Sequence, residues 1–157
     1  MADHPIPLGE LYYFEVKIIK DSESREVGIG FCRKNYYNRW FPGWGPGSWG
    51  YHGDDGNFFV EQVPGYPPSA DFGPSGEYGE NDVVGCGFNA QKGFGFVVRN
   101  GKRLEFDSGC LRRDSLMKGK MYPCIGMKVD AYGIGLVIEV NFIGPYLYKL
   151  PDDLDCQ

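Results

Sequence analysis

The sequence predicts an all-β protein built as a sandwich of two antiparallel sheets. Several short segments alternate apolar and polar residues with a period of two, which is typical of half-buried strands. Turn residues separate these segments about every ten positions. The 157 residues include 24 glycines and 11 prolines, and 16% are aromatic. This composition is too rich in turn residues for a helix bundle and too aromatic for a disordered chain.

The clearest strands are predicted near the two ends of the chain. Over residues 12–18, the apolar positions are 12, 14, 16 and 18, and we expect Glu15 and Lys17 to face solvent. Residues 134–142 show the same alternation, with Glu139 and Asn141 outward. Shorter strands are predicted over residues 27–32, 83–88, 94–98 and 122–127.

Turns and loops are predicted between these strands. Asn100-Gly101 favours a type I′ hairpin turn, and residues 111–120 are expected to hold at most one helical turn. Residues 62–81 are rich in proline and glycine and predict a long loop. Residues 35–49 break the strand rhythm too, but they are too aromatic to be disordered.

Composition and charge argue against several function classes. The net charge of −5 disfavours a nucleic-acid partner, and no run approaches the roughly 18 apolar residues that span a membrane. The five cysteines are odd in number and form no CxxC pair, which disfavours a disulfide framework or a zinc site. These features indicate a reducing compartment, cytoplasmic or nuclear, and we expect a monomer. A leader removed from the chain would leave secretion open.

One run of residues points to a known family. Tyr51-His52-Gly53-Asp54-Asp55-Gly56 resembles a motif of the SPRY (B30.2-like) family, in the branch typified by Ran-binding protein M. Other elements follow the family's order: HPIP at 4–7, NDVVG at 81–85, RNG at 99–101 and YPCIG at 122–126. The resemblance implies one jelly-roll-like SPRY domain over residues 1–157, with a recognisable core at 4–148 and a tail at 149–157.

The chain also departs from the family's pattern. Ile143 interrupts the usual Asn-Phe-Gly, and the loop at 62–81 is longer than is common. These 157 residues do not include the strand region that usually precedes the HPIP-like segment, nor the helical LisH and CTLH regions that follow the SPRY domain in Ran-binding protein M. The resemblance therefore implies the fold and the mode of binding more directly than a role in a ubiquitin ligase.

The aromatic loop holds the best candidates for contact with a partner. Trp, Tyr and Arg dominate interface hot spots, and we expect contacts from Tyr36, Asn38, Arg39, Trp40 and Trp44. Phe41 and Trp49 are predicted to pack between the two sheets as core or to cover the end of that core. The resemblance adds Tyr132, since an aromatic-Gly pair at this point helps to form the binding surface of the SPRY/SOCS-box branch.

The motif at 51–56 is the most enzyme-like part of the chain. Its glycines permit a turn in which Asp54 and Asp55 brace the backbone, and such a turn can present Tyr51, His52 and both carboxylates to a partner. Metal binding and acid–base catalysis are the weaker interpretations. Gly45–Gly50 matches GxGxxG, but no helix follows to receive a phosphate. We expect no catalytic residues, no metal and no cofactor.

These observations predict a non-catalytic module that binds a short peptide or loop of a partner protein on a surface made of loops. The resemblance suggests a substrate receptor or scaffold in a ubiquitin-ligase assembly. Two alternatives stay open: a secreted SPRY effector that targets host proteins, and a sandwich that binds carbohydrate or another small ligand.

Overall fold

The computed structural model describes residues 1–7, 10–22, 24–37, 39–62, 67–129, 133 and 135–151. Within them, two antiparallel sheets of five strands each pack face to face. This arrangement confirms the predicted all-β sandwich.

The first sheet, sheet A, has the strand order β10-β1-β6-β7-β8. The second, sheet B, has the order β5-β4-β3-β2-β9. The strands are β1 Tyr12–Lys20, β2 Val27–Arg33, β3 Ser48–His52, β4 Asn57–Val60, β5 Ala70–Asp71, β6 Val83–Asn89, β7 Phe94–Arg99, β8 Lys102–Leu104, β9 Met121–Met127 and β10 Val137–Asn141.

The core lies between the inner faces of the two sheets. Phe14 of β1 packs edge-on against Phe31 of β2 at 5.4 Å between ring centroids, and Phe31 also contacts Trp49 of β3. All three side chains are fully buried. The expected period-two pattern therefore supplies the apolar layer, and Trp49 is a core residue as predicted.

The connections between strands gather at two ends of the sandwich. We call the upper end the one formed by the β1–β2, β3–β4, β5–β6, β7–β8 and β9–β10 connections. The lower end holds the β2–β3, β4–β5, β6–β7 and β8–β9 connections. The Gly53 N–H donates to the carbonyl of Val27 at the start of β2, and the Tyr78 N–H donates to the Gly53 carbonyl, which joins the β3–β4 and β5–β6 connections at the upper end.

The outer face of sheet A is covered by the segment that follows β10, and this corrects one expectation. Glu15 is only 5% exposed, although it was predicted to face solvent. Its carboxylate accepts hydrogen bonds from the Tyr13 hydroxyl at 2.9 Å and from the N–H groups of Leu147 and Tyr148 at 2.8 and 2.9 Å. The sequence pattern predicts a surface position for Glu15 because it is charged. The pattern does not show that the segment after β10, distant in the chain, folds back over this strand and buries it.

Most smaller elements also agree with the sequence. Asn100 and Gly101 have φ of 50° and 76°, as a type I′ turn requires. One helical turn, α1, spans Asp114–Met117. The predicted long loop at 62–81 instead contains β5 and a 3-10 turn, Gly73–Gly76.

The free edge of β9 lies next to the chain's N-terminal segment. The Ala2 N–H donates to the Pro123 carbonyl at 2.9 Å, and the Ile6 N–H donates to the Met121 carbonyl at 2.8 Å. This segment therefore runs along the free edge of β9. None of the helices in the described part of the chain has the length and apolar character needed to cross a bilayer.

Candidate functional site: an anchored aromatic loop

The β2–β3 loop, residues 34–47, folds back over the outer face of sheet B. Glycines in the strands make room for it: a Cβ on Gly50 would lie 2.4 Å from the Pro42 carbonyl oxygen, and one on Gly126 would lie 2.8 Å from the Phe41 ring. Because these positions carry no side chain, the loop backbone can lie directly on the sheet.

Tyr36 holds the loop together from its centre. Its hydroxyl lies 2.7 Å from the Phe41 carbonyl oxygen and also contacts the Trp44 carbonyl oxygen. Burial, the largest cause, raises the pKa of Tyr36, so the hydroxyl stays protonated and can donate. Tyr36 is therefore half-buried and structural, and its ring offers less to a partner than the sequence suggested.

His52 fastens the loop to β3. Its Nε2 donates to the Pro42 carbonyl oxygen at 2.8 Å, and its ring lies among Phe41, Trp44 and Phe59 at centroid distances of 5.5, 5.4 and 4.6 Å. Burial lowers the pKa of His52, although the Pro42 carbonyl and Asp55 act in the opposite direction. The ring is therefore neutral, with its proton on Nε2.

The exposed part of the loop is an aromatic pair, Tyr37 and Trp40. Tyr37 is 52% exposed and Trp40 is 41% exposed, and their rings meet edge to face at 5.4 Å. The Trp40 ring lies on Gly45, where a Cβ would come within 2.3 Å of it. Arg39 between them is also exposed. The pair is thus fixed on one side and open to solvent on the other.

Trp44 is half-buried and packs on the sheet. It contacts Phe41 at 5.4 Å and Phe59 at 6.4 Å between ring centroids. Phe41 lies on the outer face of sheet B, where a Cβ on Gly126 would come within 2.8 Å of its ring, and not between the sheets or over the end of the core as predicted.

Two of the expected contact residues are buried, and the structure corrects both. Tyr51 is 0% exposed; its hydroxyl donates to the Gly76 carbonyl, and its ring packs on Tyr78 at 4.8 Å. His52 is 3% exposed. Neither side chain can reach a partner, because strand alternation turns Tyr51 into the core and the β2–β3 loop covers His52.

Asp54 and Asp55 lie in an exposed turn at the upper end. Asp55 Oδ1 accepts the Asn57 N–H at 2.9 Å, and Gly56 has a φ of 68° that favours glycine. The predicted bracing role is therefore present at Asp55. Partial desolvation, the largest cause, raises the pKa of Asp54, and the negative charges of Asp55 and Glu26 add to the effect.

His52, Asp54 and Asp55 form the group of possible metal ligands found in the described residues. One ligand atom from each lies within 4.8 Å of the others. Because His52 Nε2 already donates to Pro42, only its Nδ1 could bind an ion. A structural zinc site uses four protein ligands, and this group offers three, two of them from one exposed turn.

A charged cleft lies beside this turn at the upper end. Its volume is about 310 Å³. The charged side chains that line it form ion pairs with one another: Arg25 contacts Asp21 at 3.9 Å and Glu77 at 3.6 Å. Arg99 contacts Asp82 at 3.3 Å. These pairs tie the upper-end connections together.

The structure thus separates the expected site residues into groups. The β2–β3 loop brings Tyr36, Arg39, Trp40 and Trp44 together, whereas Asp54 and Asp55 belong to the β3–β4 turn. This turn meets the loop at His52, which lies close to both carboxylates and bonds to the Pro42 carbonyl. Asn38 and Tyr132 lie outside the described residues and stay predictions. Tyr37 was missed, because its neighbour Tyr36 has the same residue type and no periodicity in this loop tells which ring is exposed.

An anchored surface loop with an exposed aromatic pair, carried on a two-sheet sandwich, is typical of domains that bind other proteins. The family model for the SPRY domain matches residues 11–141. The chain belongs to the SPRY domain family, whose members are protein-interaction modules.

Individual relatives place it in the Ran-binding protein M branch. Ran-binding protein 9 of Danio rerio is 35% identical over 153 residues, covering 96% of this chain and 23% of the relative. The Ran-binding protein M homolog of Arabidopsis thaliana is 34% identical over 128 residues, covering 80% and 25%. The chain therefore spans about a quarter of the length of these relatives.

Solved structures agree on the fold. A human SPRY domain superposes with a TM-score of 0.62 at 22% identity, covering 86% of this chain and 78% of that one. The SPRY domain of human HERC1 gives a TM-score of 0.59 at 14% identity, covering 90% and 80%.

Proposed function

We propose that the chain is a non-catalytic module that binds a short peptide or loop of a partner protein through the β2–β3 loop. The observation that carries the proposal is the aromatic pair: Tyr37 and Trp40 remain open to solvent although the loop around them is firmly anchored. Large exposed aromatic side chains on a monomer surface are typical of interaction sites.

The anchoring matters because binding is opposed by the loss of loop and side-chain freedom. The Tyr36 hydroxyl, the His52 imidazole and the Gly45 platform already hold the loop in one conformation. A partner therefore meets a preformed surface, and little further ordering of the module is needed.

The burial of His52 supports a role without catalysis. A general acid or base must reach the proton it transfers, but the described contacts of His52 are the Pro42 carbonyl and three aromatic rings. Asp54 and Asp55 then have no accessible histidine beside them. Titration with Ca²⁺ or Zn²⁺, followed by tryptophan fluorescence, tests the metal-dependent alternatives, and a saturable change abolished by Asp55→Asn would contradict the proposal.

The relatives suggest what the module serves. Because Ran-binding proteins 9 and M resemble it, we propose that it acts as a substrate receptor or scaffold in a ubiquitin-ligase assembly in the cytoplasm or nucleus. Cys32, Cys86, Cys110 and Cys124 are free thiols, which is consistent with a reducing compartment.

Proximity labelling in cells tests the binding surface. We expect Trp40→Ala to lose the proteins labelled by the wild-type bait, since hot-spot truncation costs roughly 2 kcal/mol or more. Leu147→Ala is the matched control, because it removes another exposed apolar side chain on the outer face of sheet A. If the stably folded Trp40→Ala bait labels the same proteins as the wild type, the surface assignment is wrong.

A further inference from the structure

Charge is distributed unevenly between the two ends of the sandwich. The described upper-end connections carry seven acidic side chains and two basic ones: Asp21, Glu26, Asp54, Asp55, Glu77, Glu80 and Asp82 against Arg25 and Lys128. The described lower-end connections carry seven basic side chains and four acidic ones: Lys34, Arg39, Lys92, Arg112, Arg113, Lys118 and Lys120 against Glu61, Glu105, Asp107 and Asp114. The net charge of −5 conceals this polarity.

Several of the lower-end cations are not neutralised by the protein itself. Arg113 pairs with Glu61 at 3.5 Å and Lys118 pairs with Asp114 at 2.7 Å. In the described part of the chain, no carboxylate forms an ion pair with Lys34, Arg39 or Lys120, and all three residues are exposed.

Arg33 brings these cations to the base of the β2–β3 loop. Its guanidinium donates to the carbonyl oxygens of Ser115 and Lys118, and its side chain packs against Gly47 at the other end of the loop. The segment that carries Lys118 and Lys120 is therefore held beside the two ends of the β2–β3 loop, at Arg33 and Gly47. Met121 pairs with Arg33 in the β2–β9 ladder, which places Lys120 near Lys34. Arg33 itself bonds to carbonyl groups rather than to a carboxylate, so its positive charge adds to the local field.

From this arrangement we infer that the surface formed by Tyr37, Arg39 and Trp40, with Lys34 and Lys120 beside it, binds an acidic segment of the partner protein. The inference rests on the proposed function and names the chemistry of the partner. Aspartate and glutamate side chains would meet the unpaired cations, and an apolar side chain of the same segment would pack on the aromatic pair. The Asp54–Asp55 turn lies close to His52 and so to Pro42 of the same loop; it would repel such a segment and direct it to the side of the loop that faces Lys34 and Lys120.

A random peptide library of about 12 residues displayed on phage supplies the probe, since a segment of this size covers a small interaction surface. Selection on the wild-type domain, with counter-selection on Trp40→Ala, isolates the peptides that depend on the aromatic pair. We expect these peptides to carry a net negative charge relative to the unselected library.

Charge-reversal variants then test the cations directly. For the selected peptides, we expect K34E/K120E to weaken binding by about tenfold or more, and added salt to weaken binding to the wild type. The matched control is K102E/K149E, which makes the same change in net charge at two exposed lysines outside the lower-end connections. We expect it to bind within about twofold of the wild type. Thermal melting of both double variants checks that the fold is intact.

The outcomes separate the inference from the proposed function. Neutral or basic peptides that still require Trp40 would overturn the acidic partner and leave the binding surface in place. Equal weakening by both double variants would also overturn the inference, because it would report net charge rather than location. If no selected peptide depends on Trp40, the proposed function itself fails.

Discussion

Replacing Tyr36 with phenylalanine removes one hydroxyl and leaves the ring in place over sheet B. That hydroxyl contacts the carbonyl oxygens of Phe41 and Trp44, which belong to two different parts of the β2–β3 loop. The Phe41 carbonyl keeps the Trp44 N–H as a donor, so the substitution leaves the carbonyl of half-buried Trp44 without its donor, at a cost of about 1–3 kcal/mol. For a domain of this size, each 1 kcal/mol lowers the melting temperature by roughly 2–4 °C.

Two measurements show whether the loss of stability in Tyr36→Phe is confined to the β2–β3 loop. Urea denaturation gives the change in the free energy of unfolding. Native-state hydrogen exchange should show faster exchange at the Trp44 amide, which donates to the Phe41 carbonyl within the loop. Amides in β1 and β6, which lie in the other sheet, should change only as far as global stability changes.

Tyr37→Phe provides the matched control, because it makes the same chemical change one residue further along. The described side-chain contact of Tyr37 is that of its ring with Trp40, so the loss of its hydroxyl should change stability by less than about 0.5 kcal/mol. The reasoning is refuted if Tyr37→Phe destabilises the domain as much as Tyr36→Phe, or if Tyr36→Phe leaves both stability and loop exchange unchanged.

Three further predictions test other contacts. Gly50→Ala should destabilise the domain by about 2 kcal/mol or more because its Cβ meets the loop backbone. Gly135→Ala should not, because its Cβ would meet only the Val129 side chain, at an ordinary contact distance of 3.9 Å; equal urea midpoints would contradict this. Glu15→Ala should lower the free energy of unfolding by about 2–4 kcal/mol because three donors lose their acceptor. Lys17→Ala, at an exposed position of the same strand, should lower it little. A small decrease for Glu15→Ala in urea denaturation would show that the carboxylate is dispensable. Folding lowers the pKa of His52. The stability that His52 contributes should therefore be complete above its unfolded-state pKa of about 6.5 and should fall as the pH drops below that pKa. His52→Gln should flatten that part of the pH–stability curve, and an unchanged curve would count against the buried neutral ring.

The strands could be predicted because each inner face carries its own signal. Residues 12–18 alternate, and the structure turns Phe14, Val16 and Ile18 into the core. The Asn100-Gly101 turn was predictable for the same reason, since the φ values it needs are a local property of those two residue types.

The contacts made by the outer faces of the two sheets could not be predicted from the sequence in this way. Glu15 has the residue type of a solvent position, yet the returning segment at Leu147 and Tyr148 buries it. On sheet B, the β2–β3 loop packs directly on Gly50 and Gly126. A single glycine in a strand does not indicate which segment will pack on it. Such contacts join residues far apart in the chain, and no periodicity reports them.

The candidate site was predicted in part for the same reason. The aromatic content of residues 35–49 correctly indicated an ordered loop, and Arg39 and Trp40 are exposed as a contact surface requires. Tyr36 anchors the loop and Tyr37 is exposed because only the Tyr36 hydroxyl reaches the loop carbonyls. Which of the two hydroxyls does so is determined by the folded loop. The motif at 51–56 identified the family, but its Tyr51 and His52 serve the core and the loop anchor.

Site-specific photocrosslinking tests the central claim most directly. A photoreactive phenylalanine analogue at position 37 would lie on the exposed aromatic surface, and the same analogue at position 102, also exposed, would lie on β8 at the edge of the other sheet. The account predicts that position 37 captures a partner protein in cells and that position 102 does not. Capture from position 102 alone, with none from position 37, would contradict it.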